Sequence, residues 1–238
     1  MRKVRIAISM RVTNENKYEE RRDAIAHEWV QLLEEADFIP ALLPNNSSDI
    51  KRYMQEFDLD GIVLTGGNDI HPDTFKNRIK KNDNNGDYSL KRDDTEINII
   101  GFAEDNGLPL LGICRGMQLV NLYYGGKIYK NEDSQSGKFT KHAGTNHYLK
   151  VVDEDFEIKL GYQQIQVNSF HNYCIGVKDL PPELRLIALC SDDNTAEAFY
   201  HESKKVLCMM WHPERNVPFK DTEIKLLKEF FLQKAIKT

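Results

Sequence analysis

Apolar and polar positions along the first half of the chain keep changing rhythm. "KVRIAIS", from Lys3 to Ser9, reads as a strand. After it, Ile25, Trp29, Leu32, Leu33 and Ala36 recur on one face of a period of 3.6 residues, which predicts a helix. "FIPALLP" from Phe38 predicts a second strand, and "SSDIKRYMQEF" from Ser47 a capped helix. "GIVLT" from Gly61 is a short, wholly apolar strand that runs into Gly66-Gly67. Asp93 to Glu104 reads as a helix, with Ile97, Ile100 and Phe102 among its apolar positions. "LPLLGI" is the next strand, and "RGMQLVNLYYGG" the helix after it, closed by glycine. Strands alternating with helices predict an α/β fold, a mostly parallel sheet covered on both faces.

The rhythm changes in the second half. "LRLIALC", "AEAFYH" and "VLCMMW" are strands joined by short turns, which predicts an antiparallel extension of the sheet. A last helix, roughly Phe219 to Ile236, is expected to bury Ile224, Leu227 and Phe231. Two polar segments stay unassigned, His71 to Leu90 and Asn131 to Asn146. Their length suits binding loops, and "KKNDNNGD" within the first also reads as disordered.

Composition narrows the classes. The 238 residues contain no linker-like stretch, which predicts one domain over 1–238. Forty per cent hydrophobic residues supply a sizeable core, and a net charge of −5 gives no electrostatic case for nucleic acid. No apolar run is long enough for a bilayer and no signal peptide is evident, so a cytoplasmic enzyme with no membrane partner is expected. The four cysteines, Cys114, Cys174, Cys190 and Cys208, lack metal-site or redox spacing, so no metal is expected.

Cys114 stands apart. In "LLGICRGMQ" a thiol sits between Gly112 and Gly116, where a strand ends and a helix begins. A sharp strand-to-helix turn lifts a nucleophile above the sheet, and crowding there favours glycine on either side. The helix N-terminus and a nearby histidine would both favour thiolate. A buried cysteine at a glycine-rich turn is the alternative. In "CMMWHPERN", His212 follows an apolar strand and Glu214 comes two residues later. A carboxylate there can orient the imidazole so that its other nitrogen serves the thiol. "HPE" alone is also compatible with an ordinary turn. The Arg115 amide, at the helix start, and a glycine amide from "LTGGND" would be donors to an oxyanion.

Taken together, "LTGGND", "RDDTE", "LPLLGICRGMQ", "VNSFHN", "AEAF" and "MMWHPE" resemble the class I glutamine amidotransferase-like family, in the family's order. The resemblance implies an open, flavodoxin-like, mostly parallel sheet with helices on both faces and an antiparallel C-terminal extension. It implies Cys114 as nucleophile, His212 as base, Glu214 as its partner, and Gly67 and Arg115 as oxyanion donors, with Gly66 and Gln118 beside the substrate and no cofactor. "VNSFHNY" and "RDDTE" look like the stand-alone γ-glutamyl hydrolases, the γ-glutamyl-γ-aminobutyrate hydrolase or peptidase C26 type. That branch implies a small-molecule γ-glutamyl substrate and places Asn168, Ser169 and His171 by the pocket. His171 also reads as a structural histidine, and His147 is expected to be structural. "SMR", "YEERRD", "NSFHNYCI" and "DDNTAEAFYH" are similar to hydrolases of the γ-glutamyl-CDP-amidate type, whose leaving group would bring phosphate to Arg11, Arg21 and Arg22. "EERRD" alone reads as a solvated helix start. A glutaminase subunit feeding a synthase and a non-catalytic binding protein are the alternatives. Oligomeric state stays open, a homodimer being compatible.

Overall fold

The computed structural model describes residues 2–15, 17–46, 49–80, 86–130, 142–156 and 163–232. In chain order the strands are β1 (Val4–Ser9), β2 (Arg11–Glu15), β3 (Glu20–Ala24), β4 (Phe38–Leu43), β5 (Gly61–Leu64), β6 (Ile79–Lys80), β7 (Leu110–Ile113), β8 (Ile128–Lys130), β9 (Ala143–Val151), β10 (Gln164–Phe170), β11 (Tyr173–Cys174), β12 (Leu184–Cys190), β13 (Ala196–His201) and β14 (Val206–Met209). The helices are α1 (His27–Glu35), α2 (Ile50–Gln55), α3 (Leu90–Asn106), α4 (Arg115–Tyr123) and α5 (Asp221–Leu232).

Nine strands form the main sheet in the order β10-β9-β12-β13-β14-β7-β5-β1-β4. From β4 to β14 all neighbours run parallel, and from β14 to β10 all run antiparallel. The five parallel strands follow the flavodoxin-like order, second-first-third-fourth-fifth. Their side chains alternate between two cores. Ile6, Ile8 and Val63 pack with Trp29, Leu32 and Leu33 of α1 and Leu227 and Phe231 of α5. Ala7, Ile62 and Leu64 face the opposite side, with Met54, Ile99, Phe102, Met117 and Leu122 of α2, α3 and α4. Both faces being covered explains why β5 and β7 are apolar throughout.

Several boundaries differ from the sequence reading. "EERRD" forms β3 rather than a helix start, because residues 11–15 and 20–24 pair in register as an antiparallel hairpin. Ile25 precedes α1 and is half-buried. The cap of α2 is Asp49, whose side chain accepts from the Arg52 N–H, while Ser47 lies outside the described residues. Helix α3 starts at Leu90, capped by Ser89. Its first turns bury Arg92, Asp93 and Glu96, so apolar periodicity alone did not mark its start. In the segment 71–90, β6 pairs with β8, and Asp87 returns to Asp69, whose N–H donates to the Asp87 carbonyl at 2.8 Å. Residues 81–85, within "KKNDNNGD", and 131–141 lie outside the described residues, as does the end of the last helix from 233. Among the described residues no helix is long and apolar enough to cross a membrane.

Candidate active site

Strand register assembles the site. β5, β7 and β14 lie side by side and parallel, with Leu64 opposite Gly112 and Met209 opposite Ile113. Their carboxyl ends therefore deliver Gly66, Cys114 and the segment before His212 to one edge of the sheet. Cys114 occupies the turn between β7 and α4 with φ 51°, a left-handed conformation unusual for a residue with a side chain. The flanking glycines have a packing cause. A Cβ on Gly116 would stand 2.4 Å from the Leu64 carbonyl oxygen, and one on Gly112 would stand 2.8 Å from the Cys208 sulfur. A Cβ on Gly66 would meet His212 Cε1 at 2.7 Å and the Cys114 Cβ at 3.5 Å, which places thiol and imidazole against the same glycine.

His212 leaves β14 in extended conformation, and a tight turn over Pro213–Arg215 folds Glu214 back onto it. The His212 Nδ1 and Glu214 Oε1 are 2.6 Å apart, both side chains buried. Nε2 has no partner of regular hydrogen-bond geometry among the described residues, and the imidazole interacts with the Cys114 thiol. Burial works against a charged imidazole here. The Cys114 sulfur and the Glu214 carboxylate outweigh it, and the His212 pKa is raised to about 9. Burial pushes the Cys174 and Cys208 thiols up, and Cys190 up to about 12.

Two backbone amides belong to residues that line the same cleft. The Arg115 N–H is the first of α4 and has no partner within its helix. Gly67, at φ +105°, has an N–H with no hydrogen bond among the described residues. Beneath both lies a buried group of two cations and two anions. Arg115 pairs with Asp93 and Glu96, and Arg92 Nε donates to Glu96 at 2.9 Å. Burial lowers the Arg92 pKa to about 10 despite its acidic neighbours.

An open cleft leads down to Cys114, lined by Arg11, Gly67, Gln118, His171, His212 and Arg115 among others. Arg11, Gly67, Gln118, Arg115 and His171 of the expected site are thus brought together with Cys114 and His212, and Gly66 packs against both. Asn168 and Ser169 do not line this cleft. The Asn168 amide is committed to the His212 backbone, and Ser169 lies 3.4 Å from the His142 ring. Arg21 and Arg22 do not line it either. They are exposed on the β2–β3 hairpin, where Arg22 pairs with Glu20 at 2.7 Å. The resemblance carried by "YEERRD" implied a phosphate contact for Arg21 and Arg22, and the pairing of β3 directs both elsewhere.

Other cleft residues were not singled out in the sequence reading, although Asp69, Phe170 and Arg215 lie within motifs it quotes. Asp69 and Asp87 form one wall, Arg11 lying 3.4 Å from Asp87. Phe170 and Arg215 form another, the guanidinium 4.2 Å from the ring centroid. The buried charges of "RDDTE" could have been found, since Arg92 and Glu96 share a helical face with the apolar Ile99 and Ile100.

Two groups among the described residues have a metal-holding density of ligands: His142, His147 and Cys190, and His142, His171 and Glu197. Their histidines already have carboxylate neighbours. His142 Nε2 is 2.8 Å from Asp193, His147 Nε2 is 3.3 Å from Glu197, and His171 Nε2 is 3.6 Å from Glu197. Burial disfavours the Glu197 charge, yet the two imidazoles hold its pKa at about 2. His171 Nδ1 donates to the Tyr173 carbonyl at 2.9 Å, so this network presents His171 to the cleft. His147 is buried and does not line the cleft.

A thiol, an imidazole oriented by a carboxylate and two unpaired amides around one cleft suit acyl transfer. Comparisons agree with that chemistry. A protein of Schizosaccharomyces pombe, provisionally named a glutamine amidotransferase, is 33% identical over 73% of this chain and 69% of its own. The γ-glutamyl-CDP-amidate hydrolase of Campylobacter jejuni is 29% identical over 95% of this chain and 96% of its own. The solved glutaminase domain of Trypanosoma brucei CTPS superimposes with a TM-score of 0.68 at 14% identity, over 98% of this chain and 95% of that one. The fold is that of the class I glutamine amidotransferases. The Peptidase C26 family model matches residues 4–214, and the chain belongs to that family.

Proposed function

We propose that the protein is a cysteine hydrolase that cleaves a γ-glutamyl amide through a glutamyl thioester. The observation that carries this reading is Cys114, held in a left-handed turn against an imidazole whose far nitrogen is 2.6 Å from Glu214. The Cys114 thiolate attacks the γ-carbonyl carbon, and the carbonyl oxygen becomes an oxyanion facing the Gly67 and Arg115 amides. The tetrahedral intermediate collapses as the His212 imidazolium gives its proton to the leaving nitrogen. An amine departs and a thioester remains. Neutral His212 then takes a proton from water, the hydroxide attacks the thioester, and glutamate leaves as the thiolate and imidazolium are restored.

For the leaving group we propose an anionic amine, a nucleotide phosphoramidate. The Campylobacter relative named for γ-glutamyl-CDP-amidate hydrolysis aligns over nearly the whole of both chains. Arg215 gives the cleft a cation beside an aromatic ring that suits a base, and Arg11, 3.4 Å from Asp87, could exchange that carboxylate for a phosphate oxygen. Four unpaired cysteines fit a reducing compartment such as the cytoplasm.

The test is mass spectrometry of protein quenched during turnover of a panel of γ-glutamyl compounds. A glutamyl adduct on Cys114, fastest with the phosphoramidate, is the expected result. Wild-type turnover by Cys114→Ala would refute the mechanism. A glutaminase that supplies a synthase is the second reading. It is favoured by similarity to a glutamine-hydrolysing GMP synthase component of Methanococcus vannielii, 27% identical over 74% of this chain and 75% of its own. It requires the free protein to be slow on all γ-glutamyl amides until a partner is added.

A further inference from the structure

We propose that Arg92 is a positioning residue for the oxyanion site: by holding the Gly66 carbonyl it fixes the Gly66–Gly67 peptide so that the Gly67 N–H faces the cleft. The inference rests on the reading of Cys114 as nucleophile.

The Arg92 guanidinium is fully buried and brackets the loop after β5. Its Nη2 donates to the carbonyls of Thr65 and Gly66, each at 2.9 Å, and to Thr65 Oγ1 at 3.1 Å, while Nη1 donates to Asn68 Oδ1 at 3.1 Å. Because a trans peptide points its C=O and N–H in opposite directions, a Gly66 carbonyl turned down to Arg92 sends the Gly67 N–H away from it, toward the cleft that Gly67 lines. Nothing in the loop's own covalent chemistry would keep it so. Both residues flanking this peptide are glycine, and rotation about Gly66 ψ and Gly67 φ meets little steric resistance. A flipped peptide would set a carbonyl oxygen where the oxyanion has to form, replacing attraction with repulsion.

The same helix holds the second donor. Asp93 and Glu96 of α3 anchor the Arg115 side chain, at the first residue of α4, and Glu96 also holds Arg92. The two cations and two carboxylates balance in charge. A buried ion group of this kind is no more stabilising than well-packed apolar residues of equal volume. Orienting two peptides from one rigid helix is a task apolar side chains cannot perform. Lysine could not do it either, since a point-like ammonium cannot reach Glu96, Thr65, Gly66 and Asn68 from one planar fork.

The test is Arg92→Lys, assayed with γ-glutamyl-p-nitroanilide. We expect kcat to fall about 100-fold with KM little changed. Alkylation of Cys114 by iodoacetamide should proceed at the wild-type rate, because it forms no oxyanion. Binding of a glutamate γ-semialdehyde, which adds to thiols as a tetrahedral hemithioacetal, should weaken in step with kcat. A folded Arg92→Lys with wild-type kcat overturns the proposal, as does a parallel loss of alkylation, which would mean that the Cys114–His212 pair itself had been disturbed. If Arg92→Lys does not fold, Glu96→Gln carries the same measurements, with a smaller fall in kcat expected. If neither variant folds, the wild-type amide spectrum decides: the Gly67 resonance must move when the aldehyde binds, and an unmoved resonance refutes the arrangement. Cys114→Ala separates the two levels. Turnover by Cys114→Ala removes the nucleophile reading and this inference with it, whereas an inert Cys114→Ala beside an unimpaired Arg92→Lys removes only the role of Arg92.

Discussion

The side-chain amide of Asn168 grips the backbone of His212 from both sides: Nδ2 donates to the His212 carbonyl at 2.8 Å and Oδ1 accepts from the His212 N–H at 2.9 Å. Nδ2 also donates to Asn216 Oδ1 at 3.1 Å. An amide is the one side chain of that length with a donor and an acceptor a peptide's width apart. Asn168 therefore ties the antiparallel half of the sheet to the backbone of His212. Asn168→Ala should slow turnover between about 10- and 100-fold through misplacement of the imidazole. It should also cost about 1–3 kcal/mol of stability, since buried backbone groups lose their partners. Asn168→Asp, which cannot donate to the carbonyl, should be no better. Steady-state rates and thermal melts check this, and an unimpaired Asn168→Ala would mean that the turn at 213–215 holds His212 unaided.

Glycine at 116 is a matter of distance. With a Cβ 2.4 Å from the Leu64 carbonyl, Gly116→Ala has to push α4 away from β5. The expected cost is about 1–3 kcal/mol, with turnover lost as Cys114 moves away from Gly66 and His212. Gly101 is the control. It lies within α3, and a Cβ there comes no nearer than 3.8 Å to any described atom outside the backbone of its own helix, so Gly101→Ala should gain about 0.5–1 kcal/mol. Equal melting temperatures for the two variants would contradict the packing argument.

Cysteine chemistry should separate Cys114 from the rest. Burial raises the thiols of Cys174, Cys190 and Cys208, none of which lines the cleft. Near neutral pH iodoacetamide should add once, at Cys114, and Cys114→Ala should take up none on that timescale. Intact mass and peptide mapping read the result. Preferential labelling of any other cysteine would count against an activated Cys114.

Glu223 carries a pH signature. Burial raises its pKa to about 7, although Asn216 donates to it at 2.6 Å. A carboxyl with a raised folded-state pKa contributes stability that is complete below its unfolded value of 4.5 and is lost as pH rises through about 7. Glu223→Gln, which stays neutral, should therefore melt a few degrees above wild type at pH 8, and the gain should vanish toward pH 4.5. His212 has the same sign of linkage. Its raised pKa stabilises the fold fully below 6.5, and that contribution declines as pH rises through about 9. Melting curves of Glu223→Gln and wild type from pH 4.5 to 9 check the difference, and a gap that widens at low pH would reverse the assignment.

Local rules reached a long way into this chain. The apolar runs around Ile62 and Leu110 and the helical stripe of Trp29, Leu32 and Leu33 were readable because burial on a strand or helix repeats every few residues. Cys114 between two glycines and Glu214 beside His212 were readable because each depends on neighbours one or two positions away. Asn168, Asp87, Arg215 and Arg92 were not readable in their roles, because each acts across a long stretch of chain. Which residues β3, β5, β7 and β14 set beside one another depends on strand pairing and register. Pairing turned Arg21 and Arg22 out to solvent, brought Asp87 back to Arg11, and laid a charged helix face under a pair of glycines. Only the assembled sheet could decide that, since the energies that select one register over another come from the whole buried surface and not from any segment of it.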